Sequence, residues 1–272
     1  MDRRSIPPWA IGSVGAIGAI ALWWLAAVTI FSRVGARPDG SGGAIPTPLG
    51  VVSQAISDGL AFYWPNASVT LVEAGMGFFW GNLAALLLAA VVLVLPATEN
   101  LVTQIAVITY CIPIVAIGPI ISLVAGAPAS GDPSVAAASL AGLSVFFTTV
   151  VGAVYGLKSA DRSSLDIVTV YGGGALKRLQ KVQLISALPG ILTALKIAAP
   201  AAFLGAILGE YIGRVDVGFG PAMVNAQQSL EIERVWGVAL VSGLLAGAGY
   251  AAIGVIARLV TPWSSGRAGE PS

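Results

Sequence analysis

Two carboxylates, Glu73 and Glu210, stand inside long apolar stretches, and a basic cluster of Lys177, Arg178 and Lys181 follows the glycine run Gly172, Gly173 and Gly174. A charge near the centre of a bilayer costs about 2.5–3.5 kcal/mol on insertion scales, so each intramembrane carboxylate is weighed individually. Two readings stand for both: a polar gate or solute contact on a pathway, or an interfacial charge near the outer face and within reach of water. Histidine is absent from the 272 residues. Its absence removes Ser-His-Asp and Cys-His nucleophilic sites, HExxH zinc sites and histidine proton relays. No GxxxxGK[ST] loop occurs, so ATP binding by a Walker motif is not expected of this chain. The expectation is a protein that is not an enzyme, with no metal or cofactor of its own. A net charge of +1 offers no basic face to nucleic acid.

The elements that must position these residues are membrane spans. The chain is 56% hydrophobic and 10% charged, with a mean hydropathy of +0.87. Six apolar runs exceed the ~18 residues that mark a spanning helix: about 9–31, 68–95, 101–126, 135–157, 190–213 and 235–260. The sequence therefore predicts an all-α integral membrane protein with six transmembrane helices. Its expected parts are a cytoplasmic N-terminus (1–8), an anchor helix with an outer amphipathic segment (9–67), a core (68–260) with a polar loop at 158–189, and a flexible tail (261–272).

Lysine and arginine set the orientation. With the N-terminus inside, Arg3, Arg4, Lys158, Arg162, Lys177, Arg178, Lys181, Arg258 and Arg267 face the cytoplasm, nine of the 14 cations. Arg33, Arg37, Arg214 and Arg234 lie outside, and Lys196 falls within the fifth run, where its long stem can snorkel to the interface. Both termini are thus expected in the cytoplasm. The first run is too long for a signal-peptide core and reads as an uncleaved anchor. Thr47 and Pro48 have the residue types of an N-cap and first helical position, and Val52, Ile56, Leu60 and Tyr63 repeat at helical spacing. A short amphipathic helix on the outer surface follows. Asn66-Ala-Ser68 matches the glycosylation pattern and carries little weight.

The polar loop holds five of the inner cations. Ser163 and Asp166 have capping-box spacing, which predicts a short helix ending at Gly172–Gly174 and a second from Ala175 to Leu188. Two short helices with a glycine elbow would form a docking knob beneath the membrane; the other reading is an ordinary positive-inside loop. Pro113 and Pro119 sit inside the third run, where each removes a backbone hydrogen bond. Pathway lining and helix packing both account for them. Gly77 with Gly81 and Gly243 with Gly247 are GxxxG pairs suited to close helix contact. The single cysteine, Cys111, lies in an apolar run and reads as a small packed side chain.

Importer permeases of ABC transporters carry a loop patterned Glu-Ala-Ala, three residues, Gly, nine residues, an aliphatic residue, any residue, Leu and Pro. Here Asp166-Ile167-Val168 stand at the first three positions, with Gly172, Val182 and Leu184 in register; Ile185 replaces the proline, and Pro189 follows in "SALPGI". "IPTPLGVVSQAI", "IPIVAIGPIISLVAG" and "LGEYIGRVDVGFGPAMVNAQ" are similar to successive stretches of permeases for nitrate, sulfonate, taurine, bicarbonate and thiamine precursors. The resemblance covers most of the chain from about Pro46. It implies a type I importer permease in the inner, cytoplasmic membrane of a prokaryote, with ATP and Mg held by two ATP-binding cassette subunits. It also implies an extracytoplasmic solute-binding protein and a second permease copy, with a homodimer preferred. The loop would then be the coupling helix, with Asp166, Tyr171, Gly172, Gly173, Gly174, Ala175, Lys177, Arg178 and Lys181 meeting the ATPase. Glu73, Pro113, Pro119 and Glu210 would be candidates for the pathway. The rival reading is an ATP-independent secondary transporter or channel; the inverted repeat and mid-membrane carboxylates that it requires are not evident.

Overall fold

The structure, a computed structural model, describes residues 8–32, 34, 43–213 and 215–264. Arg3, Arg4, Arg33, Arg37, Arg214 and Arg267, residues 1–7 of the N-terminal segment and 265–272 of the tail lie outside the described residues. Among the described residues there are helices and no strands: α1 (Pro8–Val28), α2 (Pro48–Val94), α3 (Glu99–Cys111), α4 (Ile114–Ala125), α5 (Val135–Lys158), α6 (Arg162–Val170), α7 (Ala175–Arg178), α8 (Leu184–Ile212), α9 (Phe219–Gln228) and α10 (Ile232–Val260).

Among the described residues five helical segments are long and apolar enough to cross a membrane. The third expected span is broken. α3 and α4 meet at an angle of 89° about Ile112 and Pro113, where Pro113 has left the helical region with φ −59° and ψ 115°. At 1.5 Å per residue neither the 13-residue α3 nor the 12-residue α4 covers ~30 Å alone, and the bent pair is either a broken span or a re-entrant loop.

The chain divides into two compact units, one of residues 1–64 with 222–241 and one of 65–221 with 242–272. In the first, Thr47 caps α2 as expected, its Oγ1 accepting from Gly50 N at 3.2 Å. Val52, Ile56 and Leu60 face outward while Val51 and Tyr63 are buried. The expected short helix is present as the first part of α2, which is two helices meeting at a break at Gly59 (φ 62°, ψ −176°), a positive-φ conformation suited to glycine. Arg234 grips Asp58 through Nε–Oδ2 at 3.0 Å and Nη2–Oδ1 at 2.7 Å. Gln54 also donates to the Asp58 carboxylate, at 2.9 Å, and the Asp58 side chain is 4% exposed. Trp23 stacks on Trp236 at 5.3 Å.

In the second unit α5 is the central element, and small residues let its neighbours approach to backbone contact. Lipid tails are as apolar as leucine, so association here rests on packing and not on apolar burial. A Cβ at Gly81 of α2 would lie 2.5 Å from the Gly142 carbonyl; at Gly209 of α8 it would meet Ala137, and at Gly156 of α5 it would lie 2.9 Å from the Ala187 carbonyl. The Gly77 and Gly81 pair is therefore packed, whereas Gly243 and Gly247 of α10 meet nothing within 4 Å among the described residues. Thr149 donates to Asn82 Oδ1 at 2.5 Å, and Asn82 Nδ2 donates to the Phe78 carbonyl, which closes a buried polar link between α5 and α2.

Three expectations are corrected. Cys111 is exposed at the end of α3 and not packed. The short helix of the polar loop is capped by Asp161, whose carboxylate accepts from Ser164 N at 3.3 Å, and not by Ser163. The second helix does not end at Leu188: it continues from Ala175 to Ile212 through a π-helical turn at Leu179–Gln183. Lys196 Nζ lies 4.3 Å from the centroid of the Tyr250 ring, a cation–π contact.

Candidate functional site

The elbow is built by one capped helix and one glycine turn. α6 starts at its Asp161 cap and stops because Gly172 takes φ +74°, which side chains with a Cβ rarely adopt. Gly172 N donates to the Thr169 carbonyl at 3.0 Å and Gly173 N to the Val168 carbonyl at 2.8 Å, so the last helical carbonyls are satisfied. A Cβ at Gly173 would sit 2.6 Å from that Val168 carbonyl. Gly174 is extended and opens α7. Two bonds tie the elbow's root to the bundle: Lys158 Nζ to Glu99 Oε1 at 2.5 Å and Ser159 Oγ to the Ser186 carbonyl at 3.0 Å.

On this scaffold α6 presents Ile167, Val170 and Tyr171 to the surroundings at 58%, 84% and 87% exposure. Ile167 and Val170 lie on the nine-residue α6, Tyr171 is its C-cap, and Asp166 is exposed beside them. Ala175, Lys177, Arg178 and Lys181 are all exposed on the following segment.

At the opposite end of α8, Glu73 and Glu210 are 0% and 1% exposed. The reading of charges within reach of water is not what the structure contains. Glu210 Oε2 accepts from Gly220 N at 2.6 Å and its Oε1 from Thr70 Oγ1 at 2.5 Å. Thr70 Oγ1 in turn accepts from Phe219 N, and Asn66 Oδ1 from Gly218 N, both at 3.0 Å. All three amides of the Gly218-Phe219-Gly220 turn are thus held by α2 and α8 side chains. Gly218 has φ +146°, and a Cβ there would lie 2.6 Å from the Glu210 carboxyl carbon. Glu73 Oε1 accepts from Ser134 N, the N-cap of α5, at 2.6 Å; its Oε2 meets no donor among the described residues and lies beside the Glu210 carboxyl. The two carboxyls join four segments: α2, the start of α5, the end of α8 and the glycine turn.

Pro119 lines a cavity of about 420 Å³ with Ser122, Leu123 and Ile212, and Pro113 is exposed at the α3–α4 bend. The structure therefore brings Glu73 and Glu210 together and places Pro113, Pro119 and the elbow residues elsewhere. Sequence reasoning missed Asn66, Thr70, Ser134, Asn82 and Thr149. A signal was present for two of them: Asn66, Thr70 and Glu73 are spaced by four and three, one polar stripe on an otherwise apolar helix.

Residues 77–266 match the family described as the binding-protein-dependent transport system inner membrane component. The chain is similar to the formylaminopyrimidine transport permease protein ThiX of Halalkalibacterium halodurans, 26% identical over 231 residues, covering 85% of this chain and 90% of that one. It is similar to a probable ABC transporter permease protein of Haemophilus influenzae, 27% identical over 196 residues, covering 72% and 77% of the two chains. The riboflavin transport system permease protein RibX of Chloroflexus aurantiacus is 27% identical over 169 residues, 61% of this chain and 60% of that one.

Proposed function

This chain belongs to the family of binding-protein-dependent transport system inner membrane components and is the permease subunit of an ABC importer, and from that premise we propose how its parts divide the work. α6 and the Gly172 turn are the element gripped by an ATP-binding cassette subunit, which holds ATP and Mg. Asp166, Tyr171, Gly172, Gly173, Gly174, Ala175, Lys177, Arg178 and Lys181 form or support that contact. Nucleotide-driven closure of two such subunits would tilt two permease copies between inward-open and outward-open states, a rigid-body alternation. A homodimer, cytoplasmic termini and delivery of solute by an extracytoplasmic binding protein complete the proposal. The single observation that carries the coupling role is the exposed row Ile167, Val170 and Tyr171 on a helix fixed at both ends. Deleting residues 166–182 should abolish co-purification with the ATP-binding subunit while the chain still inserts; retained co-purification overturns it.

For the cargo, the two relatives with a named substrate handle a formylaminopyrimidine and riboflavin, both nitrogen heterocycles. Lys196, which lies within the fifth run near its cytoplasmic end, has its charge engaged by Tyr250. Together these favour a small neutral or zwitterionic heterocycle over a bare anion. Soaking the cognate binding protein with candidate heterocycles and with inorganic anions tests the assignment.

A further inference from the structure

Two cavities of about 390 and 440 Å³ lie side by side where α2 ends at Val94, α3 begins at Glu99 and α5 ends at Lys158. Leu93, Pro96, Leu165 and Gln183 line both, so they form one bipartite recess roofed by α6 and the π-helical turn. Three membrane helices terminate at its level, which places it where hydrocarbon gives way to headgroups. Its membrane-side wall is apolar, from Val92, Leu93 and Val94 to Leu176 and Leu179.

Its charge is one-sided. Lys158, Arg162 and Arg178 line it against a single carboxylate, Glu99, and that carboxylate is already paired with Lys158. The guanidinium groups of Arg162 and Arg178 have no hydrogen-bond or ion-pair partner among the described residues. A guanidinium presents a planar fork of donors that matches phosphate oxygens two at a time. Lys177 and Lys181, although neighbours in the chain, are not part of the lining.

We propose that this recess binds the phosphate headgroup of an anionic phospholipid. Arg162 and Arg178 hold the phosphate, one from each cavity, while the first acyl segments run along Leu93 and Val94. A bound lipid would wedge α6 and the π-helical turn from the membrane side and so fix the elbow's height. Free inorganic phosphate shares the headgroup chemistry but has nothing to place on the apolar wall. That wall is why the assignment is to lipid.

The test is native mass spectrometry of the full-length chain after reconstitution with phosphatidylcholine alone or mixed with phosphatidylglycerol. The wild type should retain phosphatidylglycerol over phosphatidylcholine by roughly thirtyfold, as expected of two surface cations at about 1 kcal/mol each. Arg162→Gln with Arg178→Gln should lose the preference, Arg162→Lys with Arg178→Lys should keep most of it, and Arg258→Gln, at the end of α10, should leave it unchanged. Equal retention of both lipids, an unaltered preference in the double glutamine variant, or an equal loss in Arg258→Gln overturns the site. Displacement of the lipid by inorganic phosphate, or by the ATP-binding subunit, overturns the lipid as occupant. The readout is independent of transport, so its failure leaves the coupling role of α6 standing.

Discussion

Glu210 and Gly220 are joined by a 2.6 Å hydrogen bond from the Gly220 amide to Oε2, with Thr70 donating to the other oxygen of the same carboxyl at 2.5 Å. Both acceptor positions are used, and beside them Glu73 Oε2 has no donor to meet. The asymmetry makes the two carboxyls respond differently to the same substitution. In Glu73→Gln the amide oxygen keeps the Ser134 bond and the new NH2 donates to Glu210. In Glu210→Gln one oxygen must serve two donors. Glu73→Gln should therefore melt at or above the wild-type temperature, and Glu210→Gln should lose about 1–3 kcal/mol, the cost of a buried donor without an acceptor. Thermal unfolding of the purified chain in detergent, read by tryptophan fluorescence, distinguishes them; a larger loss in Glu73→Gln contradicts the geometry.

Gly172→Val forces a β-branched residue into a left-handed conformation, and Gly173→Ala drives a methyl into the Val168 carbonyl. Each should lower co-purification with the ATP-binding subunit severalfold without lowering the amount of chain in the membrane. Gly174→Ala, extended and with open space around it, should be mild.

Val170→Ser with Tyr171→Ser removes two side chains that are almost fully exposed in the isolated chain. Stability of this subunit alone should stay within about 0.5 kcal/mol, as for surface substitutions generally. ATP-dependent uptake in vesicles containing the whole importer should fall at least tenfold if those side chains anchor the contact. Unchanged uptake would remove α6 from the coupling contact.

Gly81→Val should separate α2 from α5, because even a Cβ would lie 2.5 Å from the Gly142 carbonyl. Gly243→Ala and Gly247→Ala meet open space within the chain, and alanine gains up to about 1 kcal/mol in helix propensity. Protease resistance of the detergent-solubilised chain should collapse for the first and hold for the others. The same GxxxG spacing thus predicts opposite outcomes once the partner helix is known.

Arg234→Gln leaves the Asp58 carboxylate, 4% exposed, with only Gln54 as a side-chain donor. The Arg234 side chain is 26% exposed, so a loss of about 1.5–3 kcal/mol is expected, while Asp58→Asn with Arg234→Gln together should recover much of it. Urea unfolding of the single and double variants measures the difference, and an additive double variant would show that the pair is not coupled.

Long apolar runs made five of the spans readable in the sequence, because a helix in lipid has no alternative that satisfies its backbone. Local chemistry was readable where it acts on near neighbours: Thr47 on Gly50, and the glycine run on the end of α6. It failed where two neighbours competed, as Asp161 outdid Ser163 for the cap. Pro189 and Pro200 both sit inside α8, since a spanning helix tolerates the lost bond. Pro113, by contrast, falls at the 89° break between α3 and α4. The Glu73–Glu210 junction was out of reach because its partners are 61, 140, 149 and 152 residues apart, and only tertiary packing brings them together.

The helical segment from Ala175 to Ile212 has 38 residues, or roughly 57 Å at 1.5 Å per residue. One end emerges from the glycine hinge and the other carries the carboxyl that fastens the Gly218–Gly220 turn. Apart from a single loosened coil at Leu179–Gln183, no joint interrupts it. On the coupling role proposed for the elbow, torque applied near Arg178 would travel to the Glu210 end along one strut, and the compliance of that coil would decide how much of the rotation survives the journey.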